Sequence, residues 1–287
     1  MSDKAYERFV LALRADSKLR PWVLGSFLEE DLDQAVLRYS RSEEFARCWT
    51  VFQPYLRRGC RLLDLGTGRG LTSIALARKG VHVTSVEFDP SDVVGVGALA
   101  SFPGRSGLPL FAIRGDTIQM PFRDNTFDLA FCRSVLHHLN DLGQGIREIW
   151  RVLKPGGVFV AYNEHIMGPF SSGKKFLSAH PAVAYGVNER AYPVFTYWRK
   201  FQSAGFRRLR FFQPILEFSD FLARVNRKPG IAGWIALPRI GASFGRLLYS
   251  LHSLLRRYKR YIIVAEEDLA SISIVAHKPI QCGTGEY

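Results

Sequence analysis

The chain has 287 residues, of which 47% are hydrophobic and 23% charged, and its formal net charge at pH 7 is +13. This length and apolar content suit one large globular domain and exclude a wholly disordered chain. Residues 1–164 contain 21 Lys/Arg against 19 Asp/Glu, whereas residues 165–287 contain 18 against 7. The basic excess therefore lies in the C-terminal part, where it favours anionic partners.

The N-terminal sequence MSDKAYERF is charged and lacks the apolar segment of a secretory signal. The apolar stretches fall far short of the about 20 residues that a membrane-spanning helix needs. The four cysteines are scattered and form no CxxC pair, so neither a zinc knuckle nor a disulfide framework is predicted. We therefore expect a cytoplasmic protein with reduced thiols.

Four segments differ in their patterning. Residues 1–58 have helical patterning and predict an N-terminal helical extension. Residues 59–212 alternate between strand and helix patterns and predict the core domain. The next segment, 213–270, is too long for an ordinary loop, so we expect a basic helical insertion there. The final strand and tail are predicted at 271–287.

Short apolar runs alternate with amphipathic stretches through the core domain. The predicted strands are 61–65, 81–87, 110–114, 127–132, 158–162, 206–212 and 271–277. The predicted helices are 71–79, 90–99, 141–153 and 194–204, and an inserted loop is predicted at 164–192. This alternation predicts an α/β fold with a doubly wound, mostly parallel, seven-stranded Rossmann-like sheet.

A glycine-rich turn, "DLGTGRG", follows the first predicted strand. In open parallel sheets, ligands bind at the carboxyl ends of the strands. Glycine tolerates positive φ and lets a ligand approach the backbone closely. The alternative ligand is a dinucleotide, whose fingerprint is GxGxxG, but here the third glycine comes one residue early. The negative charge of Asp64 also disfavours binding of a pyrophosphate, because both groups are anions.

Acidic residues end the next two predicted strands. Glu87 closes the second strand, where an acid can accept both ribose hydroxyls of a nucleoside. NAD would use the same position, so Glu87 indicates a ribose without identifying the cofactor that contains it. Asp89 is the alternative acid, but Asp89-Pro90 is typical of a helix start. Asp116 follows the third strand, where its carboxylate can accept from an adenine amine beside Thr117.

Residues 45–163 resemble the class I S-adenosylmethionine-dependent methyltransferases, in particular the small-molecule enzymes similar to those of ubiquinone and menaquinone biosynthesis. The matching motifs are "LLDLGTGRG", "VTSVEFDP", "GDTIQMPFRDNTFDLAFCRSVLHHLND" and "REIWRVLKPGGVFV". The resemblance implies S-adenosylmethionine as the cofactor, with the ribose on Glu87, the adenine on Asp116 and Thr117, and Arg133 near the methionyl end. It implies that the methionine and sugar face the first turn, which contains Asp64, Gly66, Thr67, Gly68 and Gly70.

The implied reaction is an in-line SN2 transfer of the methyl group to a small-molecule or lipid-like acceptor. His137 and His138 follow the fourth predicted strand and are the candidate catalytic residues, since histidine titrates near neutral pH. Four residues at 162–165 are alternative acceptor contacts: Tyr162, Asn163, Glu164 and His165. In the sequence these side chains are too dispersed to indicate a metal site, so none is predicted.

Segment 244–260 combines a helical apolar stripe with five basic residues. It predicts peripheral contact with an anionic membrane or an anionic, lipid-like acceptor. Nucleic acid is disfavoured, since "CRSV" replaces the Asn/Asp-Pro-Pro-aromatic run of amino-methylating DNA enzymes. Three alternatives stay open: an RNA-directed methyltransferase, a catalytically inactive cofactor-binding interaction protein, and an NAD-dependent oxidoreductase.

Overall fold

A computed structural model describes residues 4–167, 181–212 and 270–280 of the chain. Its strands are β1 Arg61–Leu65, β2 His82–Glu87, β3 Leu110–Arg114, β4 Phe127–Arg133, β5 Leu153–Ile166, β6 Arg207–Phe212 and β7 Ala270–His277. They form one sheet in the order β3-β2-β1-β4-β5-β7-β6. All neighbours pair in parallel except β7, which is antiparallel to β5 and β6. The predicted fold class is thereby confirmed.

Eight α-helices accompany these strands within the described residues. They are α1 Ala5–Ala15, α2 Arg20–Gly25, α3 Leu32–Ser40, α4 Glu43–Phe52, α5 Leu71–Ala77, α6 Val96–Ser101, α7 Leu142–Val152 and α8 Val194–Ser203. Side-chain oxygens of Asp31, Ser42 and Asp141 accept from backbone N–H groups at the starts of α3, α4 and α7. These caps satisfy donors that the first helical turn leaves without intrahelical partners.

The central strands are buried on both faces, which explains their nearly continuous apolar sequence. Leu63 of β1 packs with Ile146 and other residues of α7 on one face of the sheet. Leu62, its neighbour in β1, packs with Phe52 of α4 and Ile74 of α5 on the opposite face. Because β1 pairs with both β2 and β4, the strand order reverses at β1. The carboxyl ends of these strands form the crevice in which such sheets bind ligands.

The helix predicted at 90–99 is wrong over its first half, since α6 begins only at Val96. Asp89 Oδ1 accepts from the backbone N–H of Ser91 at 2.8 Å. Ser91 Oγ then accepts from the N–H groups of Val93 and Val94 at 2.9 and 3.1 Å. These short polar side chains satisfy the backbone donors in a turn, which competes with helix formation.

The fifth strand is longer than predicted at both ends. It begins at Leu153, which pairs with Phe127 of β4, and so includes the "KPGG" segment that directly follows the helix predicted at 141–153. It continues to Ile166 through residues that we expected in a loop. The longer strand carries His165 beyond the carboxyl end of β4.

The N-terminal helix α1 packs against segments that follow β2 and β5. Its buried residues Phe9, Val10 and Leu13 form an apolar cluster with Val94 and Val187. Helix α1 therefore contacts the segments that follow the carboxyl ends of β2 and β5. The predicted insertion at 213–270, except for Ala270, lies outside the described residues, and the four predicted segment boundaries stay predictions.

Candidate active site

The turn after β1 contains three glycines that all have left-handed backbone conformations. The φ angles of Gly66, Gly68 and Gly70 are 59°, 55° and 84°. At Gly70, a Cβ atom would lie 2.5 Å from Leu99 Cδ1, so a side chain there would have to displace Leu99 and also adopt an unfavourable positive φ. A Gly66 Cβ would lie 2.7 Å from Cγ2 of Val135, in the loop after β4. The first turn and the loop after β4 are therefore in close contact.

Asp64 lies buried beneath this turn, with 2% of its surface exposed. Its Oδ2 accepts hydrogen bonds from Thr67 Oγ1 at 2.9 Å and from Ser73 Oγ at 2.5 Å. Burial raises the pKa of Asp64 to about 6, although the two hydroxyl donors oppose this change. The carboxylate is therefore ionised at neutral pH and supplies a negative charge in a dry environment.

Glu87 is the strand-end acid that contacts the glycine turn. Its Oε2 accepts from the N–H of Gly68 at 2.7 Å, and its Oε1 accepts from the N–H of Asp89 at 2.8 Å. Burial raises the pKa of Glu87, against the effect of these backbone donors. The alternative acid, Asp89, caps the Ser91 turn instead. The structure thus brings Glu87, rather than Asp89, to the turn after β1.

Asp116 and Thr117 follow β3, which lies beside β2 in the sheet. The N–H of Gly115 donates to Glu87 O at 2.9 Å, which joins the ends of β2 and β3. Asp116 Oδ1 accepts from the N–H of Ile118 at 3.0 Å, and Thr117 is 6% exposed. Asp64, Glu87 and Asp116 therefore follow one another along the carboxyl edge of β1, β2 and β3.

Arg133 at the end of β4 is held by the N-terminal helices. Its Nε donates to Glu44 Oε1 of α4 at 2.6 Å, and its guanidinium lies 5.3 Å from the ring centroid of Tyr39. Burial alone would lower the pKa of Arg133, but the Glu44 carboxylate raises it above its usual range. Glu44 and Tyr39 were not among the predicted site residues, because no local sequence pattern links them to a residue in β4.

The candidate catalytic histidines lie in a short 3₁₀ turn, Leu136–His138, after β4. His137 is 1% exposed, and its Nδ1 lies 2.7 Å from Glu164 Oε2. His138 is more accessible, and its Nδ1 lies 2.9 Å from the carbonyl oxygen of Asn188. The His137 ring stacks on His165 at 4.0 Å and tilts against His138 at 4.3 Å. Three of the predicted histidines thus form one cluster.

Glu164 in β5 anchors the loop that carries these histidines. Its carboxylate is completely buried and accepts from the backbone N–H groups of Val135 and His137 at 3.0 and 3.2 Å. Cys132 Sγ donates to the same carboxylate at 3.4 Å. Burial raises the pKa of Glu164, whereas these donors stabilise its ionised form. The Glu164 side chain therefore fixes both the loop and the orientation of the His137 ring.

Glu189 completes this cluster and was missed in the sequence. It is 5% exposed, and its Oε2 lies 3.7 Å from both His137 Nε2 and His165 Nδ1. His137, His165 and Glu189 thus place potential metal-ligand atoms within 4.8 Å of one another. We predicted no metal site because the candidate side chains are dispersed in the sequence. In the folded chain, these three residues lie together. Glu189 follows the 3₁₀ turn Pro181–Tyr185, and no sequence motif pointed to it.

Tyr6 of α1 packs against the apolar cluster that α1 forms with Val94 and Val187. Burial raises the pKa of Tyr6 to about 12, and the charges of Arg133, Glu189 and Glu87 act on it more weakly. Two of the alternative acceptor contacts are less suited to that role. Tyr162 OH donates to Glu44 O at 3.4 Å, and Asn163 Nδ2 donates to Ser134 Oγ at 3.1 Å.

Within residues 4–167, 181–212 and 270–280, no helix has the length and apolar character needed to cross a bilayer. The basic segment 244–260, for which we predicted membrane contact, lies outside the described residues.

A family model described as a methyltransferase domain matches residues 63–161. The chain is 33% identical over 166 residues to a demethylmenaquinone methyltransferase from Corynebacterium kroppenstedtii, an alignment that covers 52% of this chain and 69% of that protein. It is also 33% identical over 132 residues to a sterol 24-C-methyltransferase from Gibberella zeae, covering 44% of this chain and 34% of the relative.

Among solved structures, the fold is similar to that of phosphoethanolamine N-methyltransferase 2 from Haemonchus contortus in complex with S-adenosyl-L-methionine. The TM-score is 0.55 at 18% identity, over 87% of this chain and 57% of that one. Three findings support the same family: the strand order, the glycine turn with its acidic neighbours inside the matched residues, and the alignment over 69% of the demethylmenaquinone methyltransferase. The protein belongs to the class I S-adenosylmethionine-dependent methyltransferases and uses S-adenosylmethionine as its cofactor.

Proposed function

We propose that the protein transfers the methyl group of S-adenosylmethionine to a small-molecule, lipid-like acceptor by in-line displacement. The observation that carries the proposal is the contact between the first turn and the histidine loop, where Val135 occupies the space that a Gly66 Cβ would need. This contact joins a set of acids suited to a cationic cofactor to a cluster of three histidines, of which His137 is buried. Both lie at the carboxyl edge of the sheet, where such folds bind ligands.

The residues at the ends of β1, β2 and β3 fit the cofactor that the family uses. The left-handed glycines leave the turn without side chains, so a ligand can lie against its backbone. Asp64 provides an ionised carboxylate for the positively charged end, and Glu87 accepts from the ribose hydroxyls. Asp116, with Thr117 beside it, accepts from the adenine amine. When bound, the cofactor supplies a methyl group that its sulfonium already activates.

The histidine cluster is assigned to the acceptor. Holding the acceptor in line contributes about 7–11 kcal/mol in favourable systems, so the protein needs little further chemistry. His138, whose side chain is 30% exposed, is the histidine best placed to take a proton from an acceptor hydroxyl. His137 is buried and its ring is held by Glu164, so its proposed role is to position the rings of His138 and His165, which it contacts.

The names of the relatives support the acceptor class. Demethylmenaquinone and sterols are lipid-like small molecules, and phosphoethanolamine is an anionic one. The basic excess of residues 165–287 also favours an anionic acceptor or membrane surface. Vesicle sedimentation tests the membrane part: recovery with anionic vesicles should exceed recovery with neutral vesicles, and equal recovery would contradict peripheral binding.

The proposal is tested with methyl-labelled S-adenosylmethionine and a whole-cell extract. We expect wild-type protein to transfer label to molecules that partition into organic solvent, and Glu87→Gln to transfer much less. Label in the precipitated RNA would instead favour the RNA-directed alternative. Cofactor binding without any transfer would favour the inactive, cofactor-binding alternative.

A further inference from the structure

We propose that Asn188 is a positioning residue that holds the His138 ring with its proton on Nδ1, so that Nε2 is the nitrogen that takes a proton from the acceptor. Two hydrogen bonds join Asn188 and His138. The carbonyl oxygen of Asn188 lies 2.9 Å from His138 Nδ1, and Asn188 Nδ2 donates to the carbonyl oxygen of His138 at 2.6 Å. The two residues are 50 positions apart in the sequence, so only the folded chain brings them together.

The contact at Nδ1 determines which nitrogen of the His138 ring carries the proton. A backbone carbonyl oxygen has no proton to donate, so His138 Nδ1 must be the donor. In a neutral imidazole only one nitrogen carries a proton, and Nε2 therefore has the lone pair. Free histidine in water favours the opposite tautomer, with its proton on Nε2. The contact with Asn188 thus selects the tautomer in which Nε2 is the base.

The side-chain amide of Asn188 keeps this carbonyl oxygen beside the ring. Besides binding the backbone of His138, Asn188 Nδ2 donates to Asn140 Oδ1 at 3.2 Å. Arg190, two residues later, donates from Nη1 to the carbonyl oxygens of Leu139 and Asn140 at 3.2 and 3.1 Å. The two segments are therefore joined at several points. Loss of the Asn188 amide should loosen the contact at the ring without detaching one segment from the other.

The arrangement suits proton transfer from an acceptor hydroxyl to His138. As the acceptor oxygen is methylated, its O–H bond breaks and the proton goes to Nε2, whose lone pair forms the new N–H bond. The ring becomes an imidazolium, and Glu189 Oε1, 3.9 Å from Nε2, attracts its positive charge. A ring with its proton already on Nε2 cannot take a second one there. This chemical role rests on the proposed function, whereas the position of the ring proton does not.

Nitrogen-15 NMR of the histidine rings in the full-length protein locates the proton directly, because a protonated ring nitrogen and one with a lone pair differ widely in chemical shift. The His138 signals are identified by their loss in His138→Gln and are read at the alkaline limit of a pH titration, where the ring is neutral. We expect the wild-type ring to carry its proton on Nδ1, and Asn188→Ala to shift it towards the tautomer of free histidine. A wild-type ring with its proton on Nε2 would overturn the inference.

Two further substitutions separate the amide donor from any effect of charge. Asn188→Asp is isosteric but replaces the donating amide by a carboxylate, which when ionised can only accept. Asn140→Asp places the same charge in the neighbouring segment and keeps the oxygen that accepts from Asn188. We expect Asn188→Asp to lose the Nδ1 tautomer and Asn140→Asp to keep it. Equal loss in the two variants would overturn the assignment to the Asn188 amide.

Methyl transfer and cofactor affinity distinguish a positioning role from a general loss of structure. Asn188→Ala and Asn188→Asp should lower label transfer about two- to tenfold, the effect of losing one neutral hydrogen bond, while their affinity for S-adenosylhomocysteine stays that of wild type. An equal loss of affinity and transfer, or full transfer by a variant that has lost the tautomer, would overturn the inference. An Nδ1 tautomer that depends on Asn188, in a protein that transfers label to no acceptor, contradicts only the proposed function.

Discussion

The two halves of the active-site edge are built in different ways. The half that we propose for the cofactor takes its acids from the ends of three strands, at Asp64, Glu87 and Asp116, each close to its own turn. The half that we propose for the acceptor combines His137 after β4, His165 at the end of β5 and Glu189 beyond it. The first half is therefore encoded locally, whereas the second exists only when distant parts of the chain meet. Substitutions should affect the two halves independently, and the following predictions test that separation.

The largest expected effect is at Glu87. Glu87→Gln should raise the Kd for S-adenosylhomocysteine by about 10- to 100-fold, because a hydrogen bond to a charged group contributes about 1.5–3 kcal/mol. Isothermal titration calorimetry measures this change. Asp89→Asn is the matched control and should bind as wild type does. Equal weakening by the two variants would contradict the assignment of the ribose to Glu87.

Asp116 should have a smaller effect that depends on the base. Asp116→Ala should weaken S-adenosylhomocysteine about tenfold, because one hydrogen bond to the adenine amine is lost. The inosine analogue lacks that amine, so its affinity should not change. Competition binding with both ligands provides the measurement, and Asp124→Ala in an exposed turn is the control. A variant that weakens both ligands equally would show that Asp116 does not contact the amine.

The pH dependence of cofactor binding tests Asp64. Burial raises its pKa to about 6, so the free protein takes up a proton there as the pH falls through that value. Since only the ionised form attracts the cationic ammonium of S-adenosylhomocysteine, affinity should fall severalfold between about pH 7.5 and about pH 5. Asp64→Asn should bind more weakly and lose most of this dependence. A wild-type affinity that stays constant over this range would remove Asp64 from the cofactor half.

The smallest effect is expected at Glu44, which pairs with Arg133. Glu44→Gln should lower the free energy of unfolding by about 1–2 kcal/mol, since it leaves a mostly buried guanidinium without its carboxylate. Glu43→Gln removes the exposed partner of Arg47 and should cost less than about 0.5 kcal/mol. Denaturant unfolding measures both. If Glu44→Gln weakens the cofactor without changing stability, Arg133 belongs functionally to the cofactor half.

The proposed cofactor half could be proposed from the sequence because its signals are local, and its binding role stays a prediction. A buried apolar strand, a glycine turn and a strand-end acid can be recognised within about 25 residues. Side chains that compete with the backbone were harder to recognise. Asp89 and Ser91 form a turn where we expected a helix, and "KPGG" lies within β5 although it resembles a helix end.

The residues that cluster in the proposed acceptor half have fewer local signals in the sequence. His137, His138 and His165 were candidates because each follows a predicted strand. Glu189 follows a 3₁₀ turn and has no local signal, so only the packing of residues 181–189 against α1 and the loop after β4 reveals it. The pairing of Arg133 with Glu44 is likewise a long-range contact that composition and periodicity do not encode.

We propose that the two halves separate binding of the cofactor from transfer of its methyl group. The most direct measurement compares S-adenosylhomocysteine affinity with label transfer into the solvent-extracted metabolites in four proteins: wild type, Glu87→Gln, His138→Gln and His82→Gln. His82 lies at the opposite end of β2 and serves as the control. We expect Glu87→Gln to weaken affinity and transfer together, His138→Gln to lower transfer alone, and His82→Gln to change neither. Full transfer by His138→Gln, or a loss of cofactor affinity in it equal to that of Glu87→Gln, would contradict the separation of the two halves.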